Sequence, residues 1–578
     1  MKSPLLWLLQ RLSPLLLPFL QRQRAFYGRP KITPNRDHPP ATADAAGVAG
    51  AVGTNVKTRA AMRISKYGPP SPGTKNCADS SRRRDRDEEH FSKKHKGEAW
   101  GSMDRRAAED DGLPKEDRQP KRKVAVMMSY CGSGYRGMQV NPPHKSIEGD
   151  LFEAFVKAGA ISRANSNDPK KSSLVRCART DKGVHAAGNL ISLKLIIEDS
   201  DIIKKINEAL PAQIRVWDII RTTGSFSAYQ ICDSRKYEYL MPSHVFLPPH
   251  PSTFLAKACQ QAAIDENDFD NYKARQEDVW TWWAEVDEKI LAELPGETKE
   301  SIRAALEKES ESSVDSEYAV PAATTEDAAM TDASATTEPA PEDPKVILLR
   351  KIRALHAKYK NTYRLSPARL AAIQHALSLY EGTNNFHNFT VNKAPRDKSA
   401  QRHIKSFVVQ PPITINNTEW LSVKVHGQSF MMHQIRKMVG LVMMAVRCGA
   451  PPDLIPQLFE HRKTSIGKAP GLGLHLEHPL FDHYNDKIAK ENGRDPLDFA
   501  KYKEGIEEFR KEWIYGKIFE EEEKCGTFGN FVQFLDTYKN DTYLYLTSRG
   551  LKAVEGLKGK AMEAPEEQDD SDEEGGDS

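Results

Sequence analysis

Between Arg176 and Ala186 the chain reads Arg-Cys-Ala-Arg-Thr-Asp-Lys-Gly-Val-His-Ala. One carboxylate, Asp181, stands among Arg176, Arg179, Lys182 and His185. Neighbouring cations favour the ionised form and depress the pKa. An ionised, held carboxylate can serve as a nucleophile, or it can be the hub of a structural ion-pair network. Residue types alone allow both, and Asp followed by Lys-Gly is also an ordinary turn. A second loop, Gly132-x-Gly134-x-x-Gly137, follows an apolar strand and superficially matches a dinucleotide-binding fingerprint. That fingerprint needs its third glycine inside a helix whose N-terminus faces a pyrophosphate. Here Asn141-Pro142-Pro143 follows, and the next helix begins only near Ser146, so a nucleotide fold is rejected. The glycines instead let a loop turn sharply near a ligand. The seven cysteines are scattered, odd in number and form no C-x-x-C. They point to a reducing compartment and away from a disulfide scaffold or zinc ribbon. No metal ligands are assigned.

These loops need strands and helices to hold them. Val124, Val126 and Met128 alternate with small or polar residues and lead into Tyr130, which predicts a strand. Ser146 caps a predicted helix to Lys157, with Ile147, Leu151 and Phe155 on one face. Strands are expected at 187–197, 214–222 and 236–241, and a helix at 201–210. The order implies an α+β layer with helices on one face of a sheet. Tyr237 and Tyr239 are read as alternating on the strand, so that one faces away from the cleft and packs. Later in the chain, helices are expected at 367–380 and 430–447, and strands at 403–409 and 419–426. Val425, Phe430, Ile435 and Val439 are expected in the core.

Charge divides the chain of 578 residues. Residues 1–123 carry a net +12, 264–344 carry −17 and 561–578 carry −9, while the remainder carries +17. A basic body decorated with acidic insertions points to a polyanion partner, because clustered Lys and Arg release phosphate counterions. The expected parts are a disordered basic extension (1–122), a first folded half (123–263) and an acidic flexible insertion (264–344). A second half (345–482), a helical extension (483–560) and an acidic disordered tail (561–578) follow. Within the insertion, Val279 to Leu294 has the pattern of a helix. Residues 1–36 are acid-free and apolar, but too short and proline-broken for a membrane span. They fit a mitochondrial presequence. Basic clusters at 82–86, 93–96 and 121–123 fit nuclear import. The nucleus is the expected location, with a mitochondrial form allowed by the N-terminal segment.

The Arg-x-x-Arg-Thr-Asp-Lys-Gly-Val-His-Ala run resembles the signature of the TruA-type pseudouridine synthases. Five further motifs agree in order: Gly-Tyr-Arg-Gly-Met-Gln (134–139), Arg-Lys-Tyr-Glu-Tyr (235–239), Gly-Thr-Asn-Asn-Phe-His-Asn-Phe-Thr (382–390), Gly-Gln-Ser-Phe-Met-Met-His-Gln-Ile-Arg-Lys-Met-Val-Gly (427–440) and Ala-Pro-Gly-Leu-Gly-Leu (469–474). The resemblance covers roughly 123–260 and 345–482, and its wording is most similar to the eukaryotic branch. It implies two ferredoxin-like (RRM-like) halves sharing an extended, mainly antiparallel sheet, with a basic RNA-binding cleft between them. It also implies conversion of uridine to pseudouridine in RNA without a cofactor.

By the same resemblance Asp181 is the catalytic aspartate, which adds to C1′ or removes a C2′ proton to give a glycal. Tyr237 stacks on the uracil and assists proton removal at C5, and Arg436 is the ion-pair partner of Asp181. Arg179 enters the RNA stack as the base leaves. Arg136, Arg176, Lys182, His185, Phe386 and His387 are assigned to RNA contact. His185 is read as a loop hydrogen-bonder rather than a general base, and at least one of Phe386 and Phe389 as core. The expected partner is tRNA at anticodon-stem and anticodon-loop uridines. Small nuclear and messenger RNA are further targets, and the expected state is a monomer with no membrane contact. The alternative reading is an inactive RNA-binding or RNA-chaperone protein of the same fold. The presence of Asp181, Tyr237 and Arg436 together favours the enzyme.

Overall fold

The computed structural model describes residues 119–312 and 344–555. Expectations placed on 1–36, on the basic clusters at 82–96 and on 561–578 lie outside the described residues. The third basic cluster lies inside them: Arg122 and Lys123 begin the first strand, so this run is not an unfolded arm.

The apolar alternation at 124–128 produces β1 (Arg122–Tyr130). With β2 (Val175–Arg176), β3 (His185–Leu195), β4 (Ile214–Arg221) and β5 (Ser234–Pro242) it makes the first half of one sheet. The second half supplies β6 (Gly382–Asn385), β7 (Gln401–Val409), β8 (Ile413–Ile415), β9 (Thr418–Gly427) and β10 (Leu474–Leu480). The strand order is β4-β1-β3-β10-β5-β9-β7-β6, with β2 on β3 and β8 on β9. Among the described residues the pairings are antiparallel except β3 with β10, where His185 opposes His475. The late strand β10 thus slots between two early ones and closes the halves into a single sheet.

One face of the sheet carries α1 (Ile147–Lys157) and α2 (Ile202–Ala209). The Ser146 hydroxyl accepts from the Gly149 N–H at 3.2 Å, as the capping pattern requires. Val124, Val126 and Met128 face the core that includes Ile147, Leu151 and Phe155. The expectation of helices on one face alone fails. Ala125 and Met127 point the other way, into a second cluster with Phe481, Tyr484, Leu497 and Phe499. Residues after β10 therefore cover the opposite face, and β1 is buried on both sides.

The acidic segment also departs from expectation. Between α3 (Phe254–Asp265) and the second half lie α4 (Phe269–Arg275), α5 (Trp282–Glu293), α6 (Lys299–Ser312) and α7 (Pro344–Asn361). Residues 264–312 are not a flexible insertion but helices tied to the body. Arg275 Nε donates to Gly449 O at 2.8 Å, and Gln276 Nε2 to Arg447 O at 3.0 Å. Asp278 pairs with Arg369 of α8 (Pro367–Ser378) at 2.8 Å, and Trp283 Nε1 donates to Pro248 O at 2.8 Å. Net acidity had masked these buried polar and aromatic anchors.

Helix α9 (Gln434–Arg447) starts four residues later than its apolar pattern, because 428–433 form a loop that serves the site. Farther on come α10 (Leu454–Gln457), α11 (Lys503–Phe509), α12 (Gly516–Cys525) and α13 (Thr527–Thr537).

Candidate active site

Asp181 sits between β2 and β3, on a loop laid against the glycine-rich loop after β1. A Cβ on Gly132 would stand 2.2 Å from Val184 O, and one on Gly137 (φ +102°) would stand 2.7 Å from Thr180 O. Only glycine lets the two backbones approach this closely. Met138 N–H then donates to Thr180 O at 3.1 Å, and Gly183 N–H to Tyr135 O at 3.3 Å. The glycines hold the Asp181 loop rather than cradle a phosphate.

Arg436 comes from α9, and its guanidinium lies 3.8 Å from Asp181 Oδ2. Its Nε donates to Ala469 O at 2.7 Å, which aims the head at the carboxylate. A closer partner is His433, whose Nδ1 is 2.8 Å from the same oxygen. His433 has φ +59°, in the left-handed region, immediately before α9. Neighbours hold it there: Gln434 Oε1 accepts from Met431 N–H at 2.9 Å, and Thr390 Oγ1 donates to Met432 O at 3.0 Å. Burial pushes the Asp181 carboxyl up. The His433 hydrogen bond and the charges of His433, Arg436 and Lys468 outweigh it and hold the carboxyl below the usual range. The Asp181 side chain is still 25% exposed, against 3% for Arg436, so the charged group faces outward on a buried cationic floor.

Tyr237 lies on β5, paired with Leu476 and Val425. Residues two apart on a strand share a face. Tyr237 and Tyr239 therefore point the same way, against expectation, and both are buried. Their surroundings differ. Tyr237 meets Phe430 edge to face at 5.3 Å, whereas Tyr239 meets Phe528 at 6.2 Å and donates its hydroxyl to Pro470 O at 2.7 Å. Burial pushes the Tyr237 hydroxyl well above the ordinary tyrosine range, so at neutral pH it is a phenol. Arg235 on the same strand bridges the two loops of the site. Its Nη2 donates to Cys177 O at 2.9 Å and its Nη1 to Gln428 O at 3.0 Å.

Three residues assigned to RNA contact are buried instead. His185 is fully buried; its Nδ1 accepts from Gly132 N–H at 3.0 Å, and burial with nearby His475 pushes its pKa down to about 3. Phe386 is fully buried with Phe389 in an aromatic cluster, 5.2 Å from Phe459. His387 is buried with Nε2 3.1 Å from Arg462 O. The Phe-His-Asn-Phe-Thr segment is scaffold, and its Thr390 steadies the backbone before His433. Arg176 is committed to a two-pronged pair with buried Glu148, at 2.8 and 2.9 Å, which ties β2 to α1. Arg179 and Lys182 are exposed on either side of Asp181, and Arg136 is half-buried on the glycine loop.

His433 and Arg235 were missed by sequence reasoning. Both stand inside quoted motifs, yet residue type alone distinguishes neither from an ordinary polar neighbour. A cavity of about 730 Å³ lies elsewhere, lined by Arg275, Asp453, Arg462 and Arg549 among others, and shares no lining residue with this site.

Residues 376–482 match the family described as tRNA pseudouridine synthase. The chain is 43% identical over 490 residues to tRNA pseudouridine synthase 1 of Yarrowia lipolytica, covering 81% of this chain and 86% of that protein. It is 45% identical over 494 residues to the protein of the same name from Schizosaccharomyces pombe, covering 78% and 92%. It is 37% identical over 364 residues to the tRNA pseudouridine(27/28) synthase of Saccharomyces cerevisiae, covering 63% and 85%. With Asp181 on the loop before β3, Tyr237 on β5, Arg436 on α9 and relatives matched over most of their length, the chain belongs to the tRNA pseudouridine synthase family, of the TruA type.

Proposed function

We propose that the protein isomerises uridine to pseudouridine in tRNA, at anticodon-stem and anticodon-loop positions, with Asp181 as the catalytic carboxylate. The carrying observation is an ionised, partly exposed Asp181 held by His433 at 2.8 Å and backed by Arg436. A uridine must leave its stack to reach it, at a cost of a few kcal/mol. Arg179, exposed beside Asp181, fits the vacated space. The C1′–N1 bond then breaks, with Asp181 adding to C1′ or taking a C2′ proton. Uracil turns while held against Tyr237, and C5 bonds to C1′ as the Asp181–C1′ bond breaks or as Asp181 returns its proton to C2′. The C5 proton is lost and N1 gains one, so the reaction balances as an isomerisation and calls for no cofactor. Tyr237 supplies a ring face for stacking and a neutral hydroxyl, suited to relaying the C5 proton.

The test is Asp181→Asn, nearly isosteric and uncharged. Pseudouridine in tRNA transcripts, mapped by chemical labelling, should vanish while tRNA affinity stays within about threefold. Turnover near the wild-type rate would remove Asp181 from this role. An inactive RNA chaperone would have no use for the ionised carboxylate, and the same assay on the wild type separates the two readings.

The finer architecture follows from the same reading. β4-β1-β3 with α1 and α2, and β9-β7-β6 with α8 and α9, are taken as two ferredoxin-like halves, which superposition of the two sets checks. The segment after β10 covers the sheet face opposite α1, which supports a monomer; light scattering on the purified protein tests it. Small nuclear and messenger RNA are proposed as further substrates, and the nucleus as the location. Pseudouridine maps from cells with and without the protein test the first. A C-terminal fluorescent fusion with and without residues 1–36 tests the second.

A further inference from the structure

Tyr229 lies in the turn before β5 and is 63% exposed, more than any other large apolar or aromatic side chain among the described residues. A single exposed aromatic is ordinary on a protein surface. This one is held in place. The Ala228 N–H donates to Ser192 Oγ at 3.1 Å, and the Ile231 N–H to Ser227 O at 3.1 Å, so both flanks of Tyr229 are tied down. Ala228 itself is fully buried in the cluster with Phe226 and Phe481. The backbone is anchored while the ring stands in solvent.

Its neighbours tie the ring to the site. The Arg235 guanidinium lies over one face, 6.0 Å from the ring centroid, at cation–π range. The same guanidinium donates to Cys177 O and Gln428 O, four residues before Asp181 and two before Phe430. Arg235 and Tyr237 share a face of β5, being two residues apart. Arg235 therefore stands between an exposed aromatic ring at the surface and the buried one at the site. One face of the Tyr229 ring is covered by the guanidinium, and the other is open.

The surrounding charge selects the partner. Residues 393–405 hold five Lys and Arg against one Asp, and closely follow Thr390, which steadies Met432 before His433. Among them Arg402, at the start of β7, neighbours Tyr229, and His403 and Lys405 beside it are exposed. An open aromatic face beside positive charge matches a nucleotide, whose base stacks while its phosphate meets a cation. An acidic peptide would use the charge but offers no flat group to the ring. We propose that Tyr229 is the platform on which the nucleotide flanking the target uridine stacks in the tRNA complex, with Arg402 at its phosphate. The proposal rests on tRNA being the substrate. The contact holds RNA beside Asp181 and takes no part in bond making.

Binding is measured with the full-length protein carrying Asp181→Asn, so that tRNA is held without turnover. Adding Tyr229→Ala should weaken binding of the tRNA transcript about 5- to 150-fold, the range of one lost base stack. Adding Tyr229→Trp should keep affinity within about threefold. 2-Aminopurine placed next to the target uridine should be quenched on binding and stay bright with Tyr229→Ala. Arg402→Gln should lower the slope of log affinity against log salt by about one, as loss of one phosphate contact does. In the otherwise wild-type chain, Tyr229→Ala should raise KM with little change in kcat. Tyr229 is exposed, so these changes carry little risk to folding, which circular dichroism monitors. Affinity and fluorescence are read without turnover. A wild type that forms no pseudouridine would therefore sink the enzyme reading and leave the platform standing. Tyr229→Ala that binds and quenches as its parent does would overturn the platform. An unchanged salt slope in Arg402→Gln would overturn the phosphate contact.

Discussion

His433 and Asp181 stand 252 residues apart in the chain and 2.8 Å apart in space. The imidazole is nearer the carboxylate than Arg436 is, at 3.8 Å. The site therefore has a two-part support, with histidine in contact and arginine behind.

This support sets a pH dependence. His433→Asn removes the imidazole but keeps a residue type that tolerates positive φ. The Asp181 carboxyl then moves back up from its depressed value, so it takes up a proton at a higher pH. The acid limb of the rate–pH profile should shift upward, with activity above that limb less affected. The same depression contributes stability at neutral pH that is lost as pH falls through the folded-state value. A rate–pH profile of tRNA modification checks this. An unmoved acid limb would assign the whole task to Arg436.

Tyr237→Phe keeps the ring against Phe430 and removes one hydroxyl. If that hydroxyl relays the C5 proton, single-turnover product formation should fall about 10²- to 10⁴-fold. tRNA affinity should hardly change, because the stacking surface survives. An unchanged single-turnover rate would reduce Tyr237 to a packing residue.

Gly132→Ala and Gly134→Ala separate loop placement from backbone strain. A Cβ at Gly132 meets Val184 O, so the Asp181 loop must move; the loss in stability should be about 1–3 kcal/mol, with a large loss of activity. Gly134 has φ +84° but open space around it, so alanine there should cost about 1–2 kcal/mol and leave the Asp181 loop in place. Chemical denaturation paired with activity reads both. Equal activity in the two variants would contradict the close-packing account.

Arg447 of α9 and Asp536 of α13 form a buried two-pronged pair, with Nη2 to Oδ2 at 2.9 Å. Arg447→Met strands the buried carboxylate and should cost about 3–5 kcal/mol. Adding Asp536→Leu should recover much of that loss. Urea midpoints of the single and double variants decide it. A mild single variant would mean that water reaches Asp536.

Local patterns were readable directly. Alternation at 124–128, the Ser146 cap and the apolar face of 147–155 each depend on near neighbours, and the structure follows them closely. The Asp181 loop was conspicuous because four cationic or imidazole side chains crowd one acid within eleven residues. Other features depend on distant contacts and were misread or unseen. Phe386 and His387 look like a surface motif in one dimension, yet Phe386 is buried among Tyr380, Phe389 and Phe459, and His387 is buried with its imidazole at Arg462 O. The acidity of 264–312 read as flexibility, because Arg275, Gln276 and Asp278 find partners 91 to 174 residues away and Trp283 finds its own 35 residues back. His433 stands beside Asp181 in a fold whose β10 lies between β3 and β5 and joins both halves in one sheet. Periodicity and capping act over a few residues and are written in the chain itself. Which side chains meet across a sheet or between helices is settled by long-range packing, where burial outweighs the local preferences of each segment.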